Sequence, residues 1–284
     1  MININKLNFK YSSSQILFDG LSLSMSSAGI YGLLGKNGAG KSSLLKLISG
    51  LLFPNSGECN TLGQVARDRL PAMLENIYYL PEDIFLPNLN AQAYVSIYSP
   101  YYPKFDHALF KQSLEEFSVA ETQLLTLLSH GQKKKFLIAF ALATRCALLL
   151  FDEPTNGLDI PSKAQFKKIM ASIISEDQTI IISTHQVHDI EQMIDQVIFL
   201  DTGKIILNHS MHVISSAFSF TRQSEQPQLD ECIYYEKSFS GYHVIRKHNK
   251  LEDESEVNLE LLFNAVLDKN QIVNTLLQQG KHHE

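Results

Sequence analysis

Hydrophobic positions along this chain follow two periods, and the switches between them mark its elements. The stretch "INKLNFKYSSSQILFDGLSLSM" alternates apolar and polar residues in two β-leaning runs parted by a Ser-rich turn, and "AGIYGLL" reads as a short buried strand. "GKNGAGKSSLLKLISGLL" then opens as a glycine-rich turn and continues as an amphipathic helix that stops near Gly50. A further strand end is expected at "ENIYYLPED", closed by Pro81. From residue 90 to 145 the pattern is mostly helical with Tyr- and Phe-rich joints, which predicts an inserted helical subdomain. "CALLLFDEP" and "QTIIIS" are nearly all apolar and predict buried strands, with helices at "SKAQFKKIMASIISED" and "HDIEQMID". Such strands alternating with helices indicate a parallel sheet covered on both faces. "QVIFLDTGKIIL" predicts a hairpin turning at residues 201–203.

Beyond about Asn208 the character changes. Alternating strands through "ECIYYEKSFSGYHVIRKH", an acidic turn "LEDESE" and two short helices, "LELLFNAVLDK" and "QIVNTLLQQG", predict a small α+β appendage. Asn258 and Asn270 are placed to cap those helices.

Composition narrows the class. With 284 residues, 44% of them hydrophobic, the chain can bury a substantial core. A net charge of -6 argues against a nucleic-acid or anionic-membrane surface spread over the whole molecule. Cys59, Cys146 and Cys232 are odd in number, far apart and without CxxC spacing, so neither a disulfide framework nor a zinc site is expected, and reduced cytosol is the simplest compartment. The N-terminus lacks an apolar signal core, the run 137–151 is broken by Arg145, and 84–103 carries Pro87, Pro100 and Pro103. No segment is expected to span a bilayer.

Candidate chemistry gathers where strands end. Gly35, Gly40, Lys41 and Ser42 satisfy GxxxxGK[ST] after a strand and at a helix start, the context in which that pattern cradles phosphates. Glycines let successive backbone N–H groups converge on phosphate oxygens, Lys41 supplies a mobile cation, and Ser42 can ligate Mg2+. Asp152 and Glu153 follow "LLLF", where adjacent carboxylates are costly to bury without a cation or water to engage; a simple strand-end cap is the alternative. The roles expected are the magnesium shell for Asp152 and polarisation of an attacking water for Glu153. His185, after "TIIIST", is placed to contact a γ-phosphate and hold that water, although a lone histidine there is more often structural. One stretch resists this reading: "LSHGQKKKF" places Lys133, Lys134 and Lys135 where a helix begins, against its dipole, unless an anion lies nearby.

In this order the residues resemble the ATP-binding cassette (ABC) ATPases over roughly residues 1–208. "GKNGAGKS" is similar to the Walker A loop, "LLLFDE" to the Walker B strand, "LSHGQ" to the family signature, "GLD" to the D-loop, and "STH" to the switch histidine. The resemblance implies a P-loop NTPase cassette of the α/β class, RecA-like with a β-subdomain and a helical subdomain at about 86–145, followed by an α+β extension at 209–284. It implies ATP binding by Gly35, Lys36, Asn37, Gly38, Ala39, Gly40, Lys41, Ser42 and Ser43, with Tyr11 stacked on adenine. Catalysis would fall to Glu153, His185 and Lys41, and magnesium to Ser42, Asp152 and Glu82. Ser129, His130, Gly131 and Gln132 would act across a dimer on the partner's ATP, beside the D-loop's Asp159, and the lysines that follow would stand near that anion, with a solvated cationic helix face as the alternative for at least one or two of the three.

Two residues depart from the family pattern: Glu82 replaces the usual glutamine after the "YLP" strand end, and His130 replaces the signature's first glycine. "SPYYPKFD" and "SLEEFSVAE" are similar to subunits of the ABC-2 exporter type. The function implied is an ATPase subunit, a homodimer or paired cassette, held at the inner face of the membrane by separately encoded permease subunits, with no nucleic acid expected. The competing readings are a soluble ABC ATPase acting on nucleic acid, ribosomes or a protein assembly, and a nucleotide switch without turnover.

Overall fold

The computed structural model describes residues 1–12, 15–173, 177–228, 231–249 and 255–280. Strands β1 (Ile2–Ser12) and β2 (Gln15–Met25) pair antiparallel, as their alternation predicts. The buried strand β3 (Gly29–Leu34) leads through the glycine-rich loop into helix α1 (Lys41–Ile48). Strands β4 (Ser56–Thr61) and β5 (Gln64–Val65) and the short helix α2 (Pro71–Leu74) precede β6 (Ile77–Leu80). The helical insert holds α3 (Ala91–Tyr98), α4 (His107–Glu116) and α5 (His130–Ala143). Then come β7 (Leu148–Asp152), α6 (Ile160–Ile173), β8 (Thr179–Thr184), and the hairpin of β9 (Gln196–Asp201) and β10 (Lys204–Ser210). The rest comprises α7 (Met211–Ala217), β11 (Phe218–Gln223), β12 (Tyr234–Ser238), β13 (Gly241–Lys247) and α8 (Leu259–Gly280).

The central sheet has the order β10-β9-β3-β8-β7-β6, parallel from β6 to β9, with β10 antiparallel at one edge. Its inner strands β3, β7, β8 and β9 are buried on both faces, so alternate residues of one strand join different cores. Leu149 and Phe151 pack with α5 and α6 on one face, while Leu148 and Leu150 pack with α1 and the β1–β2–β4 sheet on the other. One cover is therefore partly a second sheet. Because the central strands run together, the ends of β3, β6, β7 and β8 lie along a single rim, and that rim positions the site.

Local chemistry sets several boundaries. Asn90 and Asp106 cap α3 and α4 by accepting from Ala93 N and Leu109 N, each at 2.9 Å. The hydrogen bond from Leu109, with Arg145 at 3.2 Å, holds the Asp106 carboxyl below the usual carboxylate range. Burial pushes the Cys59 and Cys146 thiols up, to about 11 and about 12, leaving them protonated and unreactive.

"HDIEQMID", expected as a helix, instead makes a single 3-10 turn over Val187–Asp189. Its geometry is overridden by partners far along the chain. Asp195 accepts from Ile30 N at 2.8 Å and donates its own N–H to Ile30 O at 2.9 Å, which pins the segment to β3 before a helix can propagate.

Asn258 caps α8 through Leu261 N at 2.9 Å, and α8 kinks at Lys269, so the two expected helices meet across that bend. The Asn270 side chain and most of "LEDESE" lie outside the described residues. The C-terminal elements share their core with the central sheet: Leu259, Leu262 and Val266 belong to the cluster that holds Val197 and Phe199, and the rings of Phe199 and Phe263 meet edge to face at 5.0 Å. Residue 208 itself lies inside β10.

A charged contact joins the same two regions. His188 Nδ1 is 3.0 Å from Glu191, and His188 Nε2 is 3.4 Å from Glu260 of α8. The hydrogen bond to Glu191, helped by the two carboxylate charges, raises the imidazole above its ordinary value against the opposing effect of burial. A raised folded pKa contributes stability that is complete below about pH 6.5 and is lost as pH rises through the folded value. His188 is 70% exposed, so solvent screening limits the effect to a few tenths of a kcal/mol. Glu191→Gln is expected to lower the His188 titration midpoint measured by NMR, and Glu260→Gln to lower it less.

Candidate functional site

At the rim beyond β3, the loop 35–40 turns tightly against β9. A Cβ on Gly35 would stand 2.3 Å from the Leu200 carbonyl oxygen, which no side chain permits. Gly40 holds φ 109° as the N-cap of α1, a backbone conformation that favours glycine. The Lys41 ammonium folds back inside the loop and donates to the Gly35 and Lys36 carbonyls at 2.8 and 3.3 Å.

Glu153 is the hub of the site. It is 4% exposed and has φ 48°, and it follows β7 with its N–H donating to Ser183 O at 3.0 Å. Its Oε1 lies 2.9 Å from His185 Nδ1 and 3.6 Å from Lys41 Nζ, and its Oε2 accepts from Thr184 Oγ1 at 3.1 Å. Three strand ends thus converge on one carboxylate whose partners already satisfy its buried oxygens. Asp152 beside it accepts from Ser183 Oγ at 2.5 Å and from Tyr79 OH at 3.1 Å. Burial, and then the Asp152 charge, push the Tyr79 phenol far up, so it serves as a permanent donor.

A cavity of about 580 Å3 opens over this hub. Tyr11, Asn37, Gly38, Gly40, Lys41, Ser42, Ser43, Glu82, Glu153 and His185 all line it, as expected from the sequence, and Gln15, Leu17 and Asn156 join them unforeseen. Tyr11 is 55% exposed and its OH lies 2.8 Å from Ser43 Oγ, which sets an aromatic face at the mouth beside α1. Asn156 donates to Glu82 Oε1 at 3.1 Å and so holds that carboxylate toward the same space. The signal for Asn156 was only its place in the turn after Glu153. Tyr79 could have been found from alternation in "IYYL", which turns it the opposite way from its buried neighbours.

Ser42 and Glu82 offer hard oxygen donors to this cavity, a set that fits magnesium. Asp152 is 2% exposed with both oxygens engaged and is not among the lining residues, so it would reach a cation through an intervening water. Among the described residues no cluster of three or more His, Cys, Asp or Glu could hold a metal unaided. Such a cation would need further oxygens from a phosphate-bearing ligand.

The signature residues stand apart from that cavity. Ser129 caps α5, accepting from Gln132 N while Gln132 Oε1 accepts from Ser129 N, a reciprocal capping box. Ser129 and His130 are exposed, and none of residues 129–132 lines the cavity. Asp159 caps α6 through Ser162 N at 2.9 Å, and the Ser162 side-chain and backbone hydrogen bonds hold its carboxyl below the ordinary value.

Of the three lysines expected near a partner's anion, the middle one turns away from that place. Lys134 has no exposure and turns inward, donating to the Glu153 and Asn156 carbonyls at 2.7 and 3.0 Å. Burial lowers its pKa, while Glu82, Glu153, Asp152 and Asp83 pull in the other direction. Lys135 reaches Phe117 O and Gln165 Oε1, each at 3.5 Å, and Lys133 is half-buried. For Lys134 the acidic neighbourhood belongs to its own chain.

Comparison with known proteins locates this arrangement. The family model described as ABC transporter matches residues 18–156. The chain is 33% identical to the ABC transporter ATP-binding protein YtrB of Bacillus subtilis over 93% of its own length and 97% of the relative's. It is 28% identical to a Nod factor export ATP-binding protein I of Burkholderia lata (70% and 68% covered), and 32% identical to a cobalt import ATP-binding protein CbiO of Salmonella typhi (73% and 80% covered). A solved ATP-binding subunit of an ABC transporter superposes with a TM-score of 0.66 at 23% identity, covering 75% of this chain and 91% of that one, which shows a shared fold.

Proposed function

This chain belongs to the ABC transporter family of ATP-binding proteins and is an ATPase, and we propose that two such cassettes, bound to separately encoded permease subunits at the inner face of the membrane, power an exporter. The working unit in this reading is the cassette 1–208, with its helical subdomain at about 86–145 and the extension 209–284 attached. The observation that carries it is a site complete on one side only. The phosphate loop, Glu153 and His185 line one cavity, while the capped Ser129 and its neighbours lie exposed elsewhere. A second copy set head to tail would bring its residues 129–132 over the open face. Ile160, next to Asp159, is 84% exposed and would be covered by that pairing.

In the cycle we propose, Tyr11 takes the adenine, backbone N–H groups of the loop 35–40 bind the phosphates, and Lys41 swings from the Gly35 carbonyl toward them. Ser42 and Glu82, with Asp152 behind a water, would hold Mg2+, which when bound neutralises phosphate charge. Glu153 Oε1 accepts the proton of the attacking water, and the His185 imidazole fixes that carboxylate and senses the γ-phosphate. ATP draws the cassettes together and hydrolysis releases them, and this alternation moves the permease.

Support for a permease contact comes from the insert: Phe85, three residues beyond Glu82, is 91% exposed, with Ile97 and Tyr101 exposed on the same insert. Among the described residues no helix is long and apolar enough to cross a membrane. Export rests on the likeness of "SPYYPKFD" and "SLEEFSVAE" to exporter subunits, since the named relatives include both an export and an import protein.

Co-expression with a candidate permease subunit tests this reading. The expected result is a complex whose ATPase is coupled to ATP-dependent uptake into inside-out vesicles. Copurification with ribosomes or DNA, and no membrane partner, would overturn it.

A further inference from the structure

Lys134, beside the signature residues, sends its side chain into the catalytic region of its own chain. It sits in the opening turns of α5, five residues beyond the Ser129 cap, and is fully buried. Its two acceptors are the main-chain oxygens that bracket the turn after β7, Glu153 O at 2.7 Å and Asn156 O at 3.0 Å. That turn needs bracing. Glu153 holds a left-handed φ of 48°, which costs a non-glycine residue free energy unless its surroundings enforce it. The turn's own hydrogen bond, from Asn156 N to Glu153 O, is 3.2 Å long. Both acceptors also bear on the reaction, because Glu153 carries the carboxylate of the hub and Asn156 holds Glu82 by its side-chain amide.

We infer that Lys134 is a positioning residue for ATP hydrolysis, clamping the turn 153–156 onto the signature helix so that Glu153 and Glu82 keep their places around the cavity. A lysine suits this task better than a neutral donor. Its ammonium carries three protons on one small head, enough to bridge two carbonyls, and its charge offsets carboxylates crowded into little space. Cutting the clamp would leave the Glu153 carbonyl with only the bond from Asn156 N, take the ammonium from the Asn156 carbonyl, and free the turn to relax from its strained conformation. The carboxylate would shift while the phosphate loop, built on β3 and α1, stayed in place. The defect should therefore appear in turnover and not in nucleotide binding.

The inference rests on Glu153 being the general base, so Glu153→Gln is assayed beside it. Lys134→Met keeps the buried stem and removes the ammonium. With a wild-type circular dichroism spectrum and an ATP affinity within about threefold of wild type, its kcat should fall about ten- to a hundredfold with KM little changed. Lys134→Arg, which restores charge and donors, should recover most of that loss. If Lys134→Met does not fold, Lys134→Gln, with a shorter neutral donor, should give the same split between kcat and KM. Normal turnover in a folded Met or Gln variant would overturn the inference while a slow Glu153→Gln left the base assignment standing. Normal turnover in Glu153→Gln would instead remove the assignment on which it rests.

Discussion

Glu153→Gln is expected to bind ATP with near wild-type affinity and to hydrolyse it about 10²- to 10⁴-fold more slowly, the span of a lost general base. The substitution keeps size and shape in a place only 4% exposed, so the Thr184 hydroxyl still finds an amide oxygen and the turn keeps its φ of 48°. What disappears is the proton acceptor, and with it the anion that Lys41 faces at 3.6 Å. Released from that pairing, Lys41 should favour phosphate slightly more, so affinity should hold or rise. Single-turnover hydrolysis set against an equilibrium titration separates the two effects. The same variant examines pairing. Saturated with magnesium-ATP and unable to turn over, it should sediment as a dimer, held by the exposed signature residues of each copy. A strict monomer in that state, beside a wild type active on its own, would end the two-cassette reading.

Much of this was legible because the rim of a parallel sheet concentrates its chemistry in short, strongly patterned segments. "LLLFDE" and "TIIIST" could only be buried strands, so the polar residues just after them had to stand at strand ends, where Glu153 and His185 do meet. The glycine loop was legible for the same reason, its position after β3 being as informative as its residues. β4 was not legible, because "SGECNT" carries no apolar run and forms by pairing with β1, whose register it borrows. Lys134 was hidden for a related reason. Three adjacent lysines look like a solvated face, and nothing in that segment reveals that main-chain oxygens of residues 153 and 156 will lie beneath the middle one. Contacts that depend on backbone acceptors distant in sequence leave no mark in residue types.

Lys41→Ala should fail one step earlier, at binding. A hydrogen bond from an ammonium to an anion contributes about 1.5–3 kcal/mol, so its loss should weaken ATP affinity by about ten- to a hundredfold. The free protein should suffer as well. Lys41 is 7% exposed and lies against a carboxylate that is equally sheltered, and removing one partner of a buried pair leaves the other charge uncompensated, at a cost of up to about 3–5 kcal/mol. One circumstance reduces that figure here: Glu153 retains His185 and Thr184 as partners. The variant should therefore fold with a lowered thermal midpoint. Lys41→Arg should rescue stability better than affinity. A planar guanidinium keeps the charge beside Glu153 but is too broad to lie between the Gly35 and Lys36 carbonyls, where the ammonium now rests at 2.8 and 3.3 Å. Calorimetric titration with ATP, run beside thermal unfolding, reads both quantities. Wild-type affinity in Lys41→Ala would mean that the ammonium serves the loop and Glu153 alone, and the phosphates would then have to be held by backbone N–H groups.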